Sequence, residues 1–243
     1  MVGITVQLME ELTEEDHETW RILCTRQSLL SEGKASSAFV LGLKSIDFDP
    51  GKIPDFSKIN LRLRKLTGWE IIPVTGLLSV KDFFSLIAER KFPCTVWIRS
   101  REQLDYIQEP DLFHDVFGHV PILTNKVFCD FMEAFAKIVL KHADDEKALE
   151  ILSRVWWFTF EFGLIREQGQ TKIFGGGILS SRGEVVFSLS AEHTHRPFVL
   201  SDVMHMPYRI DRFQETYFVI DSFEQLFACI DQIEPRLKEM LAK

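Results

Sequence analysis

Three side chains that resist burial sit inside the most apolar stretches of this chain, and any fold it adopts has to satisfy them there. His114 and His119 lie in Glu109-Pro110-Asp111-Leu112-Phe113-His114-Asp115-Val116-Phe117-Gly118-His119-Val120-Pro121, and Glu161 lies in Trp156-Trp157-Phe158-Thr159-Phe160-Glu161-Phe162-Gly163-Leu164. An ionised carboxylate between two phenylalanines costs several kcal/mol to bury unless a cation or hydrogen-bond donors meet it. A divalent metal meets that need. Two imidazoles and a carboxylate are also the composition of a facial triad, which fills one face of a non-haem Fe(II) and leaves the other open to dioxygen and further ligands. The pattern points to an oxygenase.

Two other readings compete. In a regular helix, residues five apart are rotated by about 140°, which would splay His114 from His119. Gly118 is expected to resolve this by bending or ending the helix in a left-handed conformation, with Pro121 just beyond the terminus. Without such a bend, the pair would be two ordinary core histidines beside a hydrogen-bonded Glu161. Zinc-protease chemistry fits less well, because that motif places its histidines four apart around a glutamate. Here the spacing is five and the inner acid is Asp115.

The rest of the composition narrows the classes. A chain of 243 residues with 46% apolar content suits one large domain with a substantial core. A net charge of −8, with no basic cluster, argues against a nucleic-acid partner. Apolar runs stop well short of the roughly 18 residues that span a bilayer, and Met1 to Asp16 lacks a basic start followed by an apolar run. Cys24, Cys94, Cys129 and Cys229 are too dispersed for a metal knuckle and suit a reducing cytoplasm. The 21 phenylalanines are expected mainly in an aromatic core, with a few near the histidine and glutamate segments.

The pattern predicts mostly helix with a little sheet on one side. A first helix opens at Thr13, with Asp16 three residues on, and carries Trp20, Leu23 and Cys24 inward. Turns are expected at Asp49-Pro50-Gly51 and Ile53-Pro54, a helix over 57–66 and a strand over 70–74. A helix should run from Ser79 to about Lys91, with others near 109–118, 126–142 and 146–166. A glycine turn at 175–177 is expected before strands at 184–190 and 217–220. Ser222 should open one final helix through Ile230 and Ile233.

The two long frames, together with Pro73-Val74-Thr75-Gly76-Leu77-Leu78-Ser79, Gly177-Ile178-Leu179-Ser180-Ser181, Tyr208-Arg209-Ile210-Asp211 and Tyr217-Phe218-Val219-Ile220-Asp221-Ser222-Phe223, resemble the pterin-dependent aromatic amino acid hydroxylases. The likeness is strongest to the short bacterial phenylalanine 4-hydroxylases and covers about residues 54–227. It implies an α+β fold, predominantly helical: a catalytic basket with a small β-sheet. It also implies one catalytic domain over 1–243 without regulatory or tetramerisation segments, hence a monomer, and the dispersed thiols place it in the cytoplasm. The implied reaction is hydroxylation of L-phenylalanine to L-tyrosine with Fe(II), a tetrahydropterin and O2 through a ferryl oxidant. Tyrosine or tryptophan as main substrate is the alternative within the class. A metal-dependent hydrolase or an inactive binding protein on the same fold is the alternative outside it.

Residue by residue, the resemblance makes His114, His119 and Glu161 the iron ligands. It puts Phe83 against the pterin ring, with the loop of Gly76, Leu78 and Ser79 at the ring's edge and Asp115 and Trp156 nearby. Arg99 and Asp111 would hold the substrate carboxylate. Pro110 and Trp157 would line the amino acid pocket, with Ser180 and Ser181 close to the iron and substrate. Glu184 joins that polar network. Asp115 stands where animal members have a glutamate, Trp156 where they have a tyrosine, and Ile107 where they have a threonine.

Overall fold

The computed structural model describes residues 12–105, 107 and 109–242; most of the leader reading therefore lies outside the described residues. Helix α1 (Glu14–Ser31) begins with the expected cap. The Thr13 hydroxyl accepts from the Asp16 amide at 3.2 Å, and the Asp16 carboxylate accepts from the Thr13 amide at 2.8 Å. This satisfies two of the N–H groups that a helix start leaves without partners. Helices α2 (Ser37–Ser45) and α3 (Phe56–Leu66) follow.

Strand β1 (Glu70–Val74), helix α4 (Val80–Ala88) and strand β2 (Lys91–Thr95) form a crossover unit, with β1 and β2 parallel from Glu70↔Lys91 to Val74↔Thr95. The helix ends earlier than its sequence suggested, and β2 was not foreseen. Arg90 takes φ 60°, which turns the chain out of the helix. Its guanidinium is held there by the Thr67 carbonyl at 2.6 Å, Asp130 at 2.8 Å and Glu133 at 2.6 Å. Three anchored contacts offset the left-handed backbone that an L-residue resists.

The chain then enters a π turn at His114–His119 and a 3-10 turn at Val120–Thr124. Long helices α5 (Lys126–Lys141) and α6 (Glu146–Trp156) come next, and α6 runs directly into a second π turn, Trp157–Glu161. The helix expected over 146–166 forms only as far as Glu161. Residues Leu164–Glu167 are β3, joined to β4 (Gln170–Ile173) by Gln168 and Gly169 at φ 50° and 78°. Two consecutive positive-φ residues make the two-residue turn whose twist matches a hairpin.

Helices α7 (Gly176–Ser180) and α8 (Glu184–Phe187) are short, followed by β5 (Thr194–Pro197), α9 (Leu200–His205) and β6 (Thr216–Ile220). The larger sheet has the order β4-β3-β6-β5. The strand expected over 184–190 is instead α8. Its β-branched and aromatic run, Val185-Val186-Phe187, is overridden because Glu184 turns inward to accept a 2.7 Å hydrogen bond from the Tyr217 hydroxyl. The last segment is two helices, α10 (Phe223–Ala228) and α11 (Ile230–Leu241), with the break at Cys229.

One continuous core joins these elements, and phenylalanines form much of it. Phe128 of α5 lies parallel to Phe160 of the second π turn at 5.9 Å, so the core packs directly behind the polar segments. All four cysteines are buried and free. Among the described residues no helix is long and apolar enough to cross a membrane.

Candidate active site

Both histidines and the glutamate come from π turns. Such a turn hydrogen-bonds over five residues instead of four, and Phe162 N–H donates to the Trp157 carbonyl at 2.8 Å in this way. The wider turn brings residues five apart onto one side, which a regular α-helix cannot do. His114 and His119 therefore converge, with their Nε2 atoms 3.1 Å apart. Glu161 Oε2 lies 3.4 Å from His119 Nε2 and 3.9 Å from His114 Nε2. The left-handed Gly118 expected from sequence is not the device; Gly118 is absent from the positive-φ glycines. Its bare Cα serves close approach, since a Cβ there would fall 2.7 Å from the Gly176 carbonyl oxygen.

That approach brings α7 against all three ligands. A Cβ on Gly176 would fall 2.3 Å from His119 Nδ1 and Cε1, so the ring lies flush against the helix. The other face of the His119 ring stacks on Phe160 at 4.3 Å and 4°. Gly177 lies against the Glu161 carboxylate: a Cβ there would fall 2.8 Å from Oε2, and its amide favours the charged form. Ser180 Oγ lies 2.8 Å from His114 Nδ1 and donates onward to the Gly177 carbonyl at 3.3 Å. With its own proton committed, the hydroxyl accepts from Nδ1–H, which leaves the Nε2 lone pair of His114 facing His119 and Glu161.

The charge states suit a metal. Burial, with His119 beside it, pushes His114 down to about 4, so its imidazole is neutral at pH 7. Burial raises the Glu161 carboxyl, but His119, His114 and the Gly177 amide outweigh this and hold it below the usual range. His114, His119 and Glu161 offer ligand atoms that all lie within 4.8 Å of one another. Metal–nitrogen bonds of about 2.0–2.1 Å place adjacent ligands about 3 Å apart, close to the spacing of the two Nε2 atoms. The donor set suits Fe(II), and the three residues form a metal-binding triad.

A cleft of about 330 Å³ opens at the carboxyl ends of β1 and β2, lined by Val74, Gly76, Leu78, Phe83, Pro93 and Thr95 among others. Pro110, Asp115, Trp156, Trp157 and Tyr208 also face it. Trp156 meets Phe83 edge-on at 5.4 Å and lies 4.1 Å from Phe160, whose ring stacks on His119, so a chain of aromatic contacts links the cleft wall to the triad. Asp115 Oδ2 accepts from the Thr95 amide at 2.7 Å and hydroxyl at 2.9 Å. Burial nonetheless pushes its carboxyl up to about 7.

The remaining sequence candidates lie outside the cleft wall. Ser79 caps α4, accepting from Asp82 N–H at 3.1 Å. Ser180 touches His114 instead, and Ser181 Oγ accepts from the Glu184 amide at 3.3 Å. Arg99 forms a buried two-pronged pair with Asp111, at 2.8 Å for each prong. Asp111 also accepts from the Arg99 amide at 3.0 Å and the His114 amide at 2.9 Å, which ties the pair to the first ligand turn.

Sequence reasoning missed Thr95, Phe160, Tyr208 and the role of the glycine run in α7. Tyr208 stacks on Trp157 at 5.0 Å, completing one wall. Phe160 adjoins Glu161, and three consecutive glycines before a serine advertise close packing; both signals were present in the sequence.

Comparison with known proteins agrees with this geometry. Residues 5–241 match the model of the biopterin-dependent aromatic amino acid hydroxylase family. Phenylalanine-4-hydroxylase of Chromobacterium violaceum is 47% identical over 211 residues, spanning 86% of this chain and 71% of that protein. A crystal structure of the C. violaceum enzyme with bound iron(III) and 7,8-dihydrobiopterin superposes with TM-score 0.90 at 46% identity, covering 96% of this chain and 84% of that one. A further structure of that enzyme, with iron and phenylalanine bound, gives 0.89 at 44% identity over 96% and 84%. The chain belongs to the biopterin-dependent aromatic amino acid hydroxylases.

Proposed function

We propose that this chain is a phenylalanine 4-monooxygenase, converting L-phenylalanine to L-tyrosine with Fe(II), a tetrahydropterin and dioxygen. The observation that carries the reading is the convergence of His114, His119 and Glu161 beside an apolar cleft whose Trp156 wall reaches His119 through Phe160. Fe(II) bound by these ligands supplies the site at which dioxygen, with electrons from the reduced pterin, becomes able to oxidise an aromatic ring.

The protein's own part is placement and exclusion of water. Ser180 fixes the His114 tautomer, Gly177 N–H steadies Glu161, and Phe160 with Gly176 fixes the plane of the His119 ring. Phe83 and Trp156 offer aromatic surface to a flat heterocycle, with the 76–79 loop at its edge. Both hydrogen bonds to Asp115 fall on Oδ2, leaving Oδ1 to meet a polar edge of that ring. Trp157, Pro110 and Tyr208 form a wall that favours a single-ring side chain. Asp111 occupies two prongs of the Arg99 fork, leaving Nη1 for a substrate carboxylate.

Product analysis tests the reading. The iron-loaded chain, given a tetrahydropterin, O2 and equal phenylalanine, tyrosine and tryptophan, should form mainly tyrosine from phenylalanine. Mainly 5-hydroxytryptophan or dihydroxyphenylalanine would overturn the substrate assignment, and pterin-independent hydrolysis would overturn the class.

A further inference from the structure

A second group of metal-ligand atoms lies away from the triad, at the start of the edge strand β5. His193 and His195 are two residues apart, the spacing that puts side chains on one face of an extended chain. Their Nε2 atoms are 3.1 Å apart, the same separation as in the triad. The Ser188 carbonyl oxygen, just past α8, lies 2.8 Å from His193 Nε2 and 2.7 Å from His195 Nε2.

Hydrogen bonding alone explains this arrangement poorly. The two nitrogens subtend only about 70° at the carbonyl oxygen, tighter than the spread of its two lone pairs, and sharing it would turn two N–H groups toward each other. All three separations instead match neighbouring positions around a first-row metal with bonds of about 2.0–2.1 Å. The ligands are held in place before any ion arrives. His193 packs against Phe187 at 4.9 Å and Tyr217 at 4.8 Å, and His195 pairs in register with Tyr217 of β6. The Glu192 carboxylate adds negative charge beside His193. His195 is exposed, so an ion can enter from solvent.

We propose that His193 Nε2, His195 Nε2 and the Ser188 carbonyl form a second site for a divalent late first-row ion, Zn²⁺ or Cu²⁺, distinct from the iron triad. Imidazole-rich sites favour these ions, and water completes the coordination. A bound ion ties β5 to the end of α8 across residues 189–192, over the Tyr217 ring whose hydroxyl holds Glu184.

Equilibrium dialysis of the iron-loaded enzyme against Zn²⁺, with both metals counted by elemental analysis, tests the site. The wild type should hold one iron and one zinc, two metals per chain. His193→Gln and His195→Gln should each hold the iron alone, with the zinc-induced rise in melting temperature lost and hydroxylation of phenylalanine unchanged. Equal zinc in the variants, no zinc in the wild type, or zinc found only in place of iron would each overturn the proposal. The iron count and the activity of the variants report that they are folded.

Discussion

Substituting Gly176 by alanine tests whether α7 clamps the metal ligands. The new Cβ would lie 2.3 Å from His119 Nδ1 and Cε1, against about 3.5–4.0 Å for an ordinary contact. More than an ångström of overlap has to be relieved. The ring cannot retreat, because Phe160 already lies parallel to its far face at 4.3 Å. Relief therefore shifts either His119 or α7 itself, and α7 carries the Gly177 amide on Glu161 and Ser180 on His114. Either movement opens the triad. Overpacking of this kind costs about 1–3 kcal/mol of stability, and a misplacement near 1 Å at a reacting centre costs on the order of 100-fold in rate. Urea unfolding of metal-free protein should register the stability loss. Anaerobic Fe(II) titration and initial rates of tyrosine formation should register weaker iron binding and roughly 100-fold lower kcat/KM. Wild-type iron affinity and a rate within twofold of wild type would refute the clamp.

Four further outcomes follow from the same geometry. Arg99→Ala strands Asp111, which is fully buried, and should destabilise the protein by about 3–5 kcal/mol in urea as well as weaken phenylalanine binding; a loss below 1 kcal/mol would show the pair to be dispensable. Phe83→Ala should raise the KM for pterin far more than that for phenylalanine, and equal effects would make Phe83 a packing residue alone. Trp157→Phe should narrow the preference for phenylalanine over tryptophan by about 1–3 kcal/mol in competition assays, whereas an unchanged ratio would remove Trp157 from the selective wall. Burial raises Glu184 to about 7, so its contribution to stability is complete below the ordinary carboxyl range and is lost as pH rises through 7. Glu184→Gln, which keeps an acceptor for Tyr217, should make metal-free protein more stable at pH 8 by up to about 3 kcal/mol, with the gap closing by pH 4.5; a gap independent of pH would contradict the buried ionisation.

The helical elements with strong caps and apolar periodicity were legible in the sequence, α1 with its Thr13–Asp16 box most plainly. The ligand trio was legible too, because polar groups framed by phenylalanines demand a partner. How the histidines meet was not. A π turn leaves no periodic signature over five residues, so the geometry that aligns His114 and His119 went to Gly118 instead. Short strands such as β2 and β5 owe their state to their parallel partners β1 and β6, and α8 owes its state to the Glu184–Tyr217 bond. Such tertiary preferences override local propensity. Arg99 has the appearance of a surface ion in sequence, and only the fold shows it locked beneath the first ligand turn.

Pterin-dependent oxidation at the triad of His114, His119 and Glu161 is open to direct test. A single-turnover experiment addresses it most directly: anaerobic protein loaded with Fe(II), tetrahydropterin and phenylalanine is mixed with oxygenated buffer, and tyrosine and oxidised pterin are quantified together. The wild type should give about one tyrosine per iron and per pterin oxidised, with neither product above the iron-free background in Glu161→Ala and His119→Ala. Normal tyrosine yield with a full iron complement in either variant would contradict it.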